Sequence, residues 1–205
     1  MADIQHANIP EAQLHETKGA STASANTWLG ANGDGTATFQ SLPFEFKIED
    51  SYDAQSFDDQ TLAALGTELQ VTLGDAATSP GGSVSVAADG TITINQDGVY
   101  FVSADGSCSR DTSTGFTELA FSLRIGGTQV GRSSVVGLES ADIAVTAPVT
   151  SSEILSLEAG TQLTYHMRRI AGTTSGNAGL TQTTITDANW GDAPSARVGI
   201  SKLSI

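Results

Sequence analysis

The chain has 205 residues, 23 of them acidic against 9 basic, for a formal charge of −14. That balance removes the electrostatic term on which phosphate-backbone binding and attraction to anionic membranes depend, and it suits an acidic, soluble surface. Charged residues are only 16% while glycine numbers 22, which fits one large β domain with many tight turns better than two full domains.

Cys108 is the sole cysteine. No intrachain disulfide and no four-cysteine metal site can form within one chain. Arg110 is near it, but no histidine is close in sequence to serve as a base, so Cys108 reads as a small buried hydrophobe.

The opening MADIQHANIP lacks the basic region and apolar core of a secretory leader, and no apolar run is long enough to span a bilayer. The expectation is therefore a chain made and folded in cytoplasm, without membrane insertion. Residues 1–43 show little periodicity and read as an extended arm, with "GANGDGTATF" (Gly30 to Phe39) as turns. Within the arm, "IPEAQLHETKGAST" (Ile9 to Thr22) places Pro10 where a helix can begin and Gly19 where one can end. Helices shorter than roughly 12 to 15 residues are marginal in water, and Leu14 is almost the only apolar anchor, so this segment needs a partner surface.

From Phe44 onward alternation of period two takes over. Phe44, Phe46 and Ile48 fall on one face of a first strand, and Leu69, Val71 and Leu73 on one face of another. The Asp-rich stretch Ser51 to Ala64 reads as a loop with one helical turn at "TLAAL". Val84 and Val86, then Ile92 and Ile94, flank an Asp89-Gly90 hairpin turn, and Asp97-Gly98 marks a second turn. Leu119, Phe121, Leu123 and Ile125 point inward before a turn at Gly126-Gly127. A strand ends at Leu157, a turn follows at Ala159-Gly160, and Leu163, Tyr165 and Met167 share a side of the next strand, opposite His166 and Ile170. Val198 and Ile200 alternate before the phase shifts to Leu203 and Ile205, as one extra residue in a β-bulge near Ser201 would do.

The fold class is all-β: a two-sheet antiparallel jelly-roll sandwich over residues 44–205, behind the arm. In "GVYFVS" (Gly98 to Ser103) the four residues Val99 to Val102 are all apolar, so both faces of this strand are greasy. One face fills the core; the other needs a second subunit.

The order of motifs resembles the trimeric jelly roll of complement-type globular heads and tumour-necrosis-factor ligands. "GVYFVS" is similar to that family's Gly-x-Tyr-x-Phe-Ser strand, "SLRIGGTQV" to its strand, Asn-Gly turn and strand, and "LEAGTQLTY" to its Leu-x-x-Gly-Asp-x-Val pair. "RVGISKLSI" resembles its terminal strand. Gly126 stands where Asn is usual and Thr161 where Asp is. The resemblance implies a homotrimer with Val99, Phe101, Tyr165, Ile200 and Leu203 at the subunit contact.

The arm in turn resembles amino-terminal segments of head-fibre and head-decoration proteins of tailed bacteriophages. That implies a virion protein on the capsid exterior, anchored on the major capsid protein lattice through Ile9, Pro10, Gln13, Leu14, His15 and Lys18. The alternative is the receptor-binding tip of a tail fibre recognising host surface glycan, although no long shaft is present.

No catalytic set is legible. There is no Gly-x-Ser-x-Gly elbow and no phosphate loop, and Asp58-Asp59 sits in a predicted loop. His6, His15 and His166 form no ligand motif; three copies of His15 or His166 on a threefold axis would make a metal site, but a surface or interface histidine is the commoner case. "NGDGT" (Asn32 to Thr36) and "DANWGD" (Asp187 to Asp192) lack the calcium-loop pattern, so neither cofactor nor metal is expected. Trp28 in the arm suits packing on a partner, and Trp190 in the last long loop is the best candidate for an exposed recognition aromatic. Arg168 and Arg169 must point to opposite faces of their strand, and one of them is expected to pair with a carboxylate across a subunit contact.

Overall fold

The computed structural model describes residues 47–111, 115–139, 146–172 and 176–203, together with the backbone of 27–31, 37–41 and 204. The chain divides into two compact units, Met1–Glu45 and Phe46–Ile205. In the first, β1 (Thr27–Ala31) and β2 (Ala37–Ser41) pair as an antiparallel hairpin. This corrects the reading of Gly30 to Phe39 as turns alone: short runs able to form strands flank the Asn-Gly-Asp-Gly stretch. The helix expected over residues 9–22 lies outside the described residues.

The second unit contains β3 (Lys47–Ser56), β4 (Gln60–Leu62), β5 (Glu68–Gln70), β6 (Ala77–Thr78), β7 (Val84–Val86), β8 (Ile92–Ile94), β9 (Gly98–Arg110), β10 (Thr117–Ile125), β11 (Thr128–Leu138), β12 (Ala147–Leu157), β13 (Gln162–Gly172), β14 (Ala178–Leu180) and β15 (Ala196–Ser204). One sheet runs β3-β15-β9-β14-β4, with β12 on the other edge of β9; the second runs β11-β10-β13-β8-β7-β6, with β5 also on β13. All pairings are antiparallel. Consecutive strands repeatedly cross from one sheet to the other, which makes the sandwich a jelly roll.

Several expectations are corrected by this topology. Ser51 to Ser56 belong to β3 rather than to a loop, and "TLAAL" runs from β4 into a turn, with no helix among the described residues. Asp97-Gly98 is a crossover between sheets, because β8 and β9 lie in different layers; the Asp97 carboxylate accepts the Ala159 N–H at 2.7 Å and ties this crossover to the one between β12 and β13. By contrast, Gly90 (φ +83°) and the pair Gly126-Gly127 (φ +55° and +82°) hold true hairpin turns, where only glycine takes positive φ without strain.

The core lies between the sheets. Tyr100, Val102, Val198 and Ile200 enter from the first, and Ile92, Leu119, Phe121, Leu163, Tyr165 and Met167 from the second, all at most 1% exposed. Each side chain of this size contributes about 1.5–3 kcal/mol by leaving water. The Phe121 and Tyr165 rings stack at 5.7 Å. Tyr165 and Ile200 were expected at a subunit contact; both are interior residues of the single chain, because their strands alternate and these positions take the inward phase. Cys108 is fully buried as expected, and burial pushes its thiol up to about 12.

One side chain clamps the two sheets at their edge. Asp50 of β3 accepts hydrogen bonds from the Ser79 and Ser83 hydroxyls (2.5 and 2.6 Å) and from the Gly81 and Ser83 N–H groups (3.0 Å each). Burial would push its carboxyl up, but the four donors outweigh that and hold it well below the usual carboxylate range.

Arg169 is buried in its own subunit rather than paired across a contact. It donates to the carbonyls of Leu62, Ala63 and Gly176 and to the Thr117 hydroxyl. Its neighbour Arg168 points to the opposite face and is exposed, as strand alternation requires.

Candidate functional site

The first sheet's outward face is built by the half of each strand that does not enter the core. Along β9 the inward residues are Tyr100, Val102 and Ala104, so Val99, Phe101, Ser103 and Asp105 face out. Antiparallel register fixes their neighbours. Phe101 lies opposite Ile154 of β12 and Ser201 of β15, and Val99 lies opposite Leu203, which lies opposite Ile48 of β3. Phe101 is 39%, Ile154 65% and Ile48 55% exposed, whereas Leu203 is only 5% exposed although it stands outside the core cluster. Ile48 belongs to this outward stripe.

β15 keeps its phase to the end: Leu203 faces outward beside Val99, while Val198 and Ile200 face the core. Register along β9 is continuous through Leu203, while on the β3 side it slips between Lys202 and Leu203, so that Glu49 is the extra residue. The extra residue expected in β15 near Ser201 is therefore not there; the bulge lies in β3, where it sets the phase of Ile48.

Beside the apolar stripe the face is built mostly from small residues. Asp53, Gly199, Ser103 and Ser152 form one row across the sheet, and Ser51 and Ser201 continue to Phe101 in the next. A groove of about 510 Å³ runs here between Pro80 and Phe101, with Gly199 in its floor. A Cβ at Gly199 would stand 2.9 Å from the Ser103 hydroxyl and 3.1 Å from the Asp53 carboxylate, so glycine keeps the floor open. Arg197 closes one side through a two-point ion pair with Asp53 at 3.0 and 2.5 Å, and these bonds raise the guanidinium's pKa further.

The second sheet's outward face has a different chemistry. Arg124 donates to both carboxylate oxygens of Glu68, at 2.6 and 2.9 Å, and His166 Nδ1 lies 3.0 Å from the same carboxylate. The Arg124 hydrogen bond is the main cause that lowers Glu68, against opposing desolvation. Burial, followed by the Arg124 charge, lowers His166 despite Glu68, so the ring is neutral at neutral pH. A carboxylate can only accept; Nδ1 therefore donates to Glu68, and Nε2, 3.0 Å from the Thr164 hydroxyl, accepts.

Trp190 is 71% exposed. Its loop is tied by paired backbone bonds between Thr183 and Ala193, by Asp192 accepting the Ile185 N–H at 2.8 Å, and by Asp187 accepting the Asn189 N–H at 2.9 Å. Both carboxylates of "DANWGD" are thus used within the loop. Among the described residues no group of three acidic, histidine or cysteine side chains is arranged to hold a metal.

Val99, Phe101 and Leu203 share one face, and Trp190 stands apart in its loop. Ile9, Pro10, Gln13, Leu14, His15 and Lys18 lie outside the described residues, as does "NGDGT". Sequence reasoning missed Ile154. The signal was there in "SEILSL", where Ile154 and Leu155 are adjacent and so must face opposite sides, as in "GVYFVS".

No family model matches the chain, and no curated protein matches it in sequence. Among solved structures it is similar to murine APRIL at pH 5.0 (12% identity, 75% of this chain and 98% of that one, TM-score 0.45). It is also similar to the Eiger TNF of S. frugiperda (14%, 76% and 91%, TM-score 0.46) and to the globular domain of zebrafish complement 1qA (12%, 77% and 97%, TM-score 0.41). At such identities nothing about ligands or partners passes from them to this chain.

Proposed function

We propose that the chain is a non-enzymatic structural protein that assembles as a homotrimer through the outward face of the β3-β15-β9-β12 sheet. The supporting observation is the side-by-side exposure of Phe101 and Ile154. Fully burying a side chain of this kind is worth roughly 1.5–3 kcal/mol, of which Phe101 and Ile154 forgo the part that stays in water, and the small-residue groove beside them offers a complementary seat for a neighbour's knob. A knob on one patch and a seat on another is a head-to-tail contact, which closes as a three-membered ring where each neighbour is turned by a third of a circle.

In this reading residues 1–43 are the attachment arm and the jelly roll is the displayed part. The specific setting we propose is the exterior of a tailed-phage capsid, on the resemblance of Ile9 to Thr22 to head-fibre and decoration proteins. Three arms on one trimer raise each other's effective concentration, so weak single contacts sum to firm attachment.

Sedimentation equilibrium of the full chain tests the assembly, with a trimer mass expected and a monomer at micromolar concentration overturning it. Binding of the chain to capsids, with and without residues 1–22, tests the arm. A second reading, recognition of host surface glycan, is favoured by one observation: an exposed Trp190 on a loop already stiffened by its own hydrogen bonds. Loss of cell binding on Trp190→Ala with sedimentation unchanged would establish it.

A further inference from the structure

The second sheet carries a notch on its outward face that the assembly reading leaves unused. Phe121 of β10 pairs with Ser134 of β11, but Leu123 pairs with Val130. Ser122 therefore faces the three residues Gly131 to Ser133, and Gly131 takes φ +66° as β11 swings out. The swing opens a cavity of about 210 Å³. Ser122, 7% exposed, lies in its floor; Arg124, His166, Gln129 and Ser133 line it, and Arg168 and Ile170 stand at one end. Bulges that re-aim side chains are over-represented at sheet edges and next to active sites.

Charge at the notch runs against that of the chain. Arg124 is neutralised by Glu68, and His166 is held neutral beside it. Arg168 makes no ion pair among the described residues, although Glu68 is its cross-strand neighbour, so Arg124 and Arg168 share this one carboxylate in a protein of net charge −14. A planar fork of donors matches a carboxylate. The same notch is lined by hydroxyl and amide groups able both to donate and to accept, from Ser122, Ser133 and Gln129. Ser133 and Gln129 are already oriented by a mutual hydrogen bond at 3.2 Å, and Gln129 is also bonded to the Gly131 carbonyl. Ile170, 42% exposed, supplies an apolar rim.

We propose that this notch binds one ring of an acidic sugar, with the carboxylate on Arg168, ring hydroxyls on Ser133 and Gln129, and a carbon face against Ile170. The inference does not depend on the trimer, whose contact lies on the other sheet.

The test is a titration of the full-length protein, followed by amide NMR, with glucuronate and N-acetylneuraminate, and with N-acetylglucosamine and acetate as controls. Saturable shifts are expected for at least one acidic sugar and centred on β10, β11 and β13, with little response to the neutral sugar. Arg168→Gln is expected to weaken binding about ten- to hundredfold, as for a lost hydrogen bond to a charged group, with melting temperature and sedimentation unchanged. Arg168→Lys, which keeps the charge but not the fork, should fall between. No saturable binding, binding indifferent to Arg168→Gln, or acetate binding as tightly as the sugars would each overturn the proposal.

Discussion

The two sheets are built by the same alternation, yet their outward faces differ. On the first, β9 turns Val99 and Phe101 to the outside and meets Ile154, Leu203 and Ile48 there. On the second, β13 turns out Thr164, His166 and Arg168, and meets Glu68 and Arg124. The inward halves of both strands are equally apolar, so the core does not require the contrast. An outward face that is greasy reports a need for a solid partner, whereas one that is charged and notched suits water or a solute.

That contrast can be broken by mutation. The largest expected effect comes from Phe101→Asp combined with Ile154→Asp, which places two carboxylates in the proposed contact. Association should weaken by at least about 2–4 kcal/mol, the scale of interface hot spots, and sedimentation should move to monomer. The matched change on the second sheet, Val135→Asp, should leave the mass untouched; if it dissociates the assembly equally, the two faces are not distinct in role.

Arg168 and Arg169 sharpen the comparison within one strand. Arg169→Ala leaves several buried carbonyls without their donor and should cost about 3–5 kcal/mol in chemical denaturation. Arg168→Gln should stay within about 0.5 kcal/mol. Asp50→Asn ranks below Arg169→Ala, at about 1–3 kcal/mol, and it also carries a pH signature. Asp50 and Glu68 are held below their ordinary values in the fold, so their stabilisation is complete above the usual carboxylate range and fades as pH falls through the lowered values. A melting series into acid should therefore be less steep for Asp50→Asn than for the parent. Arg197→Gln, which removes the exposed pair with Asp53, should cost at most about 1 kcal/mol.

Alternation made the core legible: Val84, Val86, Ile92, Ile94, Leu119, Phe121 and Leu163 lie where period two puts them. Gly90 and Gly126-Gly127 were legible for the same local reason, since positive φ is a property of the residue itself. Layer assignment was not. Asp97-Gly98 looks like Asp89-Gly90 in sequence, but the strand after it joins the other sheet, a choice made by partners far along the chain. Tyr165 and Ile200 failed as contact residues because apolar character says that a side chain is covered without saying by what. The second-sheet notch was invisible, because it arises from three residues of β11 opposing one of β10, and no run of residues in isolation shows a mismatch in count. Arg169 was legible as opposite to Arg168, but its burial depends on carbonyls of distant loops.

β15 is inserted between β3 and β9, so residues 47–56 acquire their neighbour only from residues 196–204. Such distant pairing makes for slow refolding, on the order of milliseconds to seconds, because a very large loop must close before its contacts reward it. Throughout that delay the slot between β3 and β9 is open to any foreign strand of suitable pattern. Yield on renaturation should therefore depend on dilution, and a peptide copying residues 196–204, supplied in excess, should trap the chain in an unfinished state.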